Sequence, residues 1–391
     1  MKVSAAPSFT PIKAAGTAVS GPPLLSRDGP RIVLGWSEGD FVAPNIPSAS
    51  TLFGPRGAAR LRDGTLWVAD TGHHRMLGWM SGPEADNQPA DLLIGQPDFA
   101  SEGRNAKGHA SASTVNVPTG VSPWGDGLAV ADAWNHRVLL WRKTPASSNQ
   151  PADIILGQLN EQSIEANHGS DAPSAASLHW PYGVSEVGGR LVVCDTGNRR
   201  VLIWNAPERT GQPADLVLGQ PDFNSRDENA GQEVGAAGMR WPHGAALWRG
   251  GLAVSDAGNN RIMLWRSLPA HNGQPCDAVL GQTGFTDCDH NLASYYPNAV
   301  ALNMPYAVAV EDEALLVADT ANSRLLGWQS GETGAKAIRL TGQPDFASKG
   351  DNRWGVATRD SLCWPYGIAC SGGEAIIADS GNNRVLLWRM A

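Results

Sequence analysis

A chain of 391 residues with 42% hydrophobic side chains can bury a large core, and its 45 Gly and 27 Pro suit a chain full of turns. A formal net charge of −8 argues against binding the phosphate backbone of nucleic acid, which relies on Lys and Arg displacing counterions. No apolar run approaches the ~20 residues that cross a bilayer, and the start of the chain lacks the apolar core of a signal peptide.

Residues 1–30 are rich in Ala, Ser, Pro and Gly and carry few large apolar side chains, which predicts a flexible tail. The first apolar segment is RIVLGWSEGDF, Arg31 to Phe41. It is echoed by segments beginning at Asp91, Asp153, Asp215, Asp277 and Ile338, the first of which reads DLLIGQPDFA. Their glutamines, Gln96, Gln158, Gln220, Gln282 and Gln343, are expected to hydrogen-bond loop backbone.

Between these segments runs a second phrase, clearest at Leu128 to Trp141 as LAVADAWNHRVLLW. Six copies place Asp70, Asp132, Asp195, Asp256, Asp319 and Asp379 at intervals of 62, 63, 61, 63 and 60 residues. An Arg follows each Asp by five residues and a Trp by nine, from Arg75 and Trp79 to Arg384 and Trp388. Runs of Leu, Val and Ile flanking Gly, Asn, Asp and Ser read as two strands joined by a turn. Self-similarity at a fixed period means a repeat architecture. Repetition of the Asp, Arg and Trp in every unit marks them as packing and turn-tying groups, with each Trp filling space between units.

Ahead of each hairpin stands a P-x-G phrase: Pro118-Thr119-Gly120, Pro181-Tyr182-Gly183, Pro242-His243-Gly244 and Pro365-Tyr366-Gly367. Pro305-Tyr306-Ala307 varies it, and Pro55-Arg56-Gly57 lies one residue further from its Asp. Proline can open a strand without losing an interior ladder bond. Each unit therefore has four strands: one from P-x-G, two from the hairpin phrase, and one from the LGQ segment. The sixth hairpin has no LGQ segment after it. Ile32-Val33-Leu34 is expected to supply that strand and shut the ring, since closure removes exposed strand edges.

The core pattern V-A-D-x-x-N-x-R-V resembles NHL repeats, with Asn135, Asn198, Asn259, Asn322 and Asn382 at the Asn slot and His73 there in the first copy. The GQPDF phrases resemble a variant found in bacterial proteins. The expectation is an all-β fold over residues 31–391, a single six-bladed β-propeller of four-stranded blades closed by an N-terminal strand completing the last blade. The resemblance implies no single function, because NHL propellers serve as enzymes, RNA binders and scaffolds.

Antiparallel order places the Asp-to-Arg turns and the long loops entering P-x-G on one face, and such loops form working surfaces. The repeats disagree at the residue after each Pro: Arg56, Thr119, Tyr182, His243, Tyr306 and Tyr366 should ring the channel mouth. The residues before Pro include Trp180, Trp241 and Trp364. Arg56, Tyr182, His243, Tyr306, Tyr366 and these three Trp describe an aromatic pocket with a few polar groups, the composition of a ligand site.

Most histidines also fall on this face; His179, His243 and His290 are the candidates for holding one divalent metal ion, although no His-x-x-x-His spacing links them. The first functional expectation is a binding or scaffold protein that takes a protein partner or small molecule there. The alternative is a metal-dependent lyase or hydrolase at the same face, as the resemblance to the peptide-amidating lyase, streptogramin lyase and lactonase groups implies. RNA binding fits the acidic balance poorly. Cys194, Cys276, Cys288, Cys363 and Cys370 have no C-x-x-C spacing and read as reduced thiols, so a cytoplasmic monomer without nucleic-acid or membrane partners is expected.

Overall fold

The structure is a computed structural model and describes residues 22–35 and 46–391. Strand pairing resolves six antiparallel sheets of four strands each, a six-bladed β-propeller. Five blades follow the chain directly. The second, for example, runs Pro118–Trp124, Gly127–Asp132, Arg137–Trp141 and Ile154–Leu156 from the channel outward. The sixth takes Pro365–Ser371, Glu374–Asp379 and Arg384–Arg389 from the end of the chain and Ile32–Leu34 from its beginning. Val33 pairs with Leu386 and Ile32 with Leu387, which is the closure the sequence predicts.

The first blade absorbs its extra residue away from the channel mouth. Its inner strand, Gly57–Arg60, pairs Gly57 with Ala69, as Gly183 pairs with Cys194 in the third blade. The difference is taken up in the hairpin on the opposite face, where Leu61 N–H bonds the Thr65 carbonyl across a wider turn.

Each repeated Trp packs against the preceding blade: Trp141 lies among Leu61, Trp67 and Ile94, and Trp79 among Ile376 and Leu387. Its indole N–H is satisfied by the loop to the fourth strand, as in Trp141 to the Gln150 carbonyl at 2.9 Å. The last blade has no such loop. Ser26 supplies the carbonyl instead, 2.8 Å from Trp388 Nε1. Leu24 and Leu25 are fully buried beside it, and Leu24 N–H bonds the Leu340 carbonyl. Residues 22–30, expected as part of a flexible tail, are therefore built into the seam between the fifth and sixth blades, because Trp388 needs an acceptor and the seam needs apolar cover. The rest of that expected tail, residues 1–21, and the 36–41 end of the first apolar segment lie outside the described residues.

The Asp–Arg pairs tie the turns down. Every one of the six Asp and six Arg is buried, with Arg Nε 2.6–3.0 Å from Asp Oδ2. The other carboxylate oxygen accepts a backbone N–H from the long loop ahead, as Asp132 does from Asn116 at 2.6 Å. Arg137 then reaches the Ser111, Thr114 and Glu161 carbonyls at 2.6–2.9 Å, so one guanidinium pins the loops on both sides. A second set of asparagines in the long loops pairs with the repeat Asn: Asn105 and Asn135 exchange amide bonds at 2.8 and 3.1 Å, as do Asn352 and Asn382 at 2.9 Å. The Gln bonds also form as expected, with Gln96 Nε2 donating to the His74 and Gly103 carbonyls. The long loops are consequently a rigid platform.

Candidate functional site

The residues after the inner-strand prolines converge at the channel mouth because the backbone bulges there. Pairing slips between Pro181 and Gly183, Pro242 and Gly244, Pro305 and Ala307, and Pro365 and Gly367. The bulged residue leaves the ladder, which re-aims its side chain. Tyr182, His243, Tyr306 and Tyr366 thereby form a continuous aromatic arc. His243 stacks on Tyr306 with ring centres 4.2 Å apart at 5°, Tyr182 lies 4.3 Å from His243, and Tyr366 lies 4.7 Å from Tyr306. Arg56 closes the arc, its guanidinium 4.9 Å from the Tyr366 ring centre and 5.8 Å from that of Tyr182. Thr119 completes the ring of six but bonds the Tyr182 carbonyl at 2.7 Å and adds only a short side chain.

The chemistry of this ring follows from its burial. His243 Nδ1 donates to the Trp241 carbonyl at 2.8 Å, and desolvation pushes its pKa down to about 4, so the imidazole is neutral at pH 7. Desolvation also pushes the Tyr306 phenol up to about 12. The neighbouring tyrosines, Tyr182 foremost, hold Arg56 firmly in its charged form. No ion pair among the described residues involves Arg56.

One position earlier the blades differ in backbone. Gly54, Val117, Trp180, Met304 and Trp364 take left-handed φ of 51–54°, and Trp241 does not. A bulky residue in this region is strained by about 1–3 kcal/mol. An acceptor from the preceding blade holds each strained N–H. Val117 is held by His74 Nδ1 at 3.1 Å, Trp180 by His136 Nδ1 at 3.0 Å, Met304 by Asn260, Trp364 by Ser323 and Gly54 by Asn383. The third blade offers Arg199 at this slot, and a guanidinium has only donors. Trp241 N–H turns instead to Asp256 at 3.3 Å. Arg199 reaches the Gly197 and Arg226 carbonyls at 3.2 and 3.3 Å.

The ring opens into a cavity of ≈520 Å³ on this irregular side. Arg56, Tyr182, His243, Tyr306, Tyr366, Trp180 and Trp241 line it together with His179. Trp364 does not; it borders a separate hollow of ≈290 Å³ that shares only Arg56 and Tyr366 with the larger one. The sequence reading missed Arg199, Arg226 and Trp134 in the larger cavity. Arg199 carried a readable signal, being the single member of the series His74, His136, Arg199, Asn260, Ser323, Asn383 that cannot accept a hydrogen bond. Arg226 carried one too: it stands six residues after Gln220, where the other blades have Glu102, Ile164, Cys288 and Lys349.

The metal candidates do not converge. His179 and His243 both line the cavity, but His290 is exposed in a different loop. His179 packs edge-on to His136, ring centres 5.3 Å apart, and burial lowers the pKa of both. Among the described residues no group of three His, Cys, Asp or Glu side chains is placed to hold a metal ion. Nor is any described helix long and apolar enough to cross a membrane.

No protein-family model matches the chain, and no curated protein matches it. Among solved structures, a protein of unknown function from Bacteroides thetaiotaomicron is similar over 93% of this chain and 75% of that one, with TM-score 0.51 and 11% identity. Virginiamycin B lyase from Staphylococcus aureus aligns over 92% of this chain and 98% of its own at TM-score 0.45 and 9% identity. The WD40 β-propeller domain of Doa1 aligns over 92% and 96% at TM-score 0.46 and 9% identity. At identities this low the likeness is of fold alone, and the fold, established by the strand pairing, is a six-bladed β-propeller of four-stranded blades.

Proposed function

We propose that this chain is an NHL-type propeller acting as a binding protein, with a small organic ligand held at the long-loop face around the channel mouth. The observation that carries this reading is the ≈520 Å³ cavity at the channel mouth, where the residues after the inner-strand prolines differ from repeat to repeat. Cavities of roughly 300–1,000 Å³ with apolar walls and a few convergent polar groups are the usual form of small-molecule sites. The platform beneath is rigid, so the site is preformed and its ligand meets little ordering cost. A concave shape favours a small molecule over a protein partner. Five cysteines without a disulfide support a reducing compartment such as the cytoplasm. The NHL assignment is supported by the Asp–Arg–Asn cluster at the hairpin turns, formed from the repeat's own signature residues.

A thermal-shift screen against a metabolite library tests the proposal. Ligands that raise the melting temperature of the wild type should lose that effect in the Trp180→Ala/Trp241→Ala double variant. Both indoles are exposed at the cavity rim, so the variant should melt normally without ligand. Stabilising ligands that act equally on both proteins would place binding elsewhere and refute the reading.

A further inference from the structure

The cavity carries a charge opposite to that of the chain around it. The protein has a net charge of −8, yet Arg56, Arg199 and Arg226 line the cavity and no Asp or Glu does. The nearest ion pairs are loose: Glu228 lies 3.9 Å from Arg199 Nε and 3.5 Å from Arg240 Nε. Arg226 makes no side-chain hydrogen bond or ion pair among the described residues, and Arg56 meets only tyrosine rings and the Tyr182 hydroxyl. Half-buried guanidinium groups with a loose counter-charge or none are costly unless something supplies one.

The rim adds flat apolar surface, with Trp180 49% and Trp241 37% exposed. Exposed indoles at the mouth of a cationic cavity suit a ring stacked on them.

Resting on the small-ligand reading above, we infer that the cavity takes a small organic anion, a carboxylate or phosphate ester borne on a flat ring, with its charge toward the arginines and its ring against Trp180 and Trp241. The arginines set the sign of the ligand's charge, and the indoles require a planar face. The lining does not distinguish carboxylate from phosphate, since a guanidinium fork matches both.

Calorimetric titration with phenyl phosphate, benzoate, inorganic phosphate and the neutral rings benzyl alcohol and benzamide tests this. The two charged rings should bind at least tenfold more tightly than the neutral rings and than phosphate alone; which of the two binds better identifies the group. Arg226→Gln should weaken the charged rings tenfold or more at unchanged melting temperature, because that side chain makes no hydrogen bond or ion pair among the described residues. Arg56→Gln should do the same if it folds. Neutral rings that match the charged ones, or charged rings indifferent to Arg226→Gln, would overturn the anion assignment while leaving a binding site at the mouth, provided the Trp180→Ala/Trp241→Ala variant still loses them. Charged rings indifferent to every one of these substitutions would remove both the assignment and the site. Failure of all probes to bind would overturn the assignment alone, the metabolite screen remaining the judge of the site.

Discussion

The junction between the second and third blades and that between the third and fourth are built on the same plan and differ at the residue that faces the next blade's N–H. At the first, His136 Nδ1 accepts the Trp180 N–H and holds Trp180 at φ 51°. At the second, Arg199 stands in the place of His136, Trp241 is released from left-handed backbone, and the cavity opens toward Arg199 and Arg226. A repeat scaffold can thus make an asymmetric site without altering its core. It is enough to remove one hydrogen-bond acceptor from a row of six.

The comparison is broken most severely by attacking what the two junctions share. Arg137→Ala leaves Asp132 buried without its ion pair and strips three loop carbonyls of their donor. A loss of about 3–5 kcal/mol is expected, as for other broken buried pairs. Urea unfolding measures it, and a loss under about 1 kcal/mol would mean that the pair does not anchor the loops.

Next in size is the acceptor itself. His136→Leu orphans the Trp180 N–H and should cost about 1–3 kcal/mol. Arg199→Leu at the equivalent position should cost under about 1 kcal/mol, since no next-blade N–H depends on it. Equal losses at the two sites would show that the acceptor does not distinguish the junctions.

Arg199→Asn sharpens the contrast by restoring what the third blade lacks. Asn already serves at residues 260 and 383, and it tolerates the left-handed backbone found at Arg199. The variant should change stability by under about 1 kcal/mol, because a new hydrogen bond worth about 0.5–1.5 kcal/mol is offset by the strain of left-handed backbone. Its Trp241 should adopt the strained conformation of Trp180, visible as altered indole exposure in fluorescence quenching.

The remaining effect is absent at neutral pH and emerges in acid. His136 accepts through Nδ1 and burial pushes its pKa down to about 4, while the unfolded chain titrates at the usual value near 6.5. Between those values the unfolded state binds the proton and the folded state does not, so stability is complete above about 6.5, falls as pH falls toward 4, and levels off below it. His136→Asn keeps an acceptor but removes the titration, so its stability should fall less over that window. Superimposable pH profiles for the two proteins would rule His136 out as the titrating clasp.

The sequence by itself determined the ring. Six Asp–Arg–Trp phrases, five LGQ segments and a spare apolar strand at Ile32–Leu34 leave closure as the arrangement that pairs every edge, and they place Arg56, Tyr182, His243, Tyr306 and Tyr366 on one face. Periodicity carries that information because each blade repeats the same local physics. Tertiary structure alone decided where the face becomes a cavity. The separation of Trp364 from Trp180 and Trp241, the failure of His290 to join His179 and His243, and the arrival of Arg226 beside Arg199 depend on how the long loops fold over one another. Those loops repeat their Gln-to-Asn spacing and their buried Asn pairs from blade to blade, but the side chains between vary, so the period places each position and not the neighbour it meets. The same holds for residues 22–30, whose composition reads as tail but whose Ser26 carbonyl and buried Leu24 complete the last blade: their partners, Trp388 and Leu340, stand more than three hundred residues away.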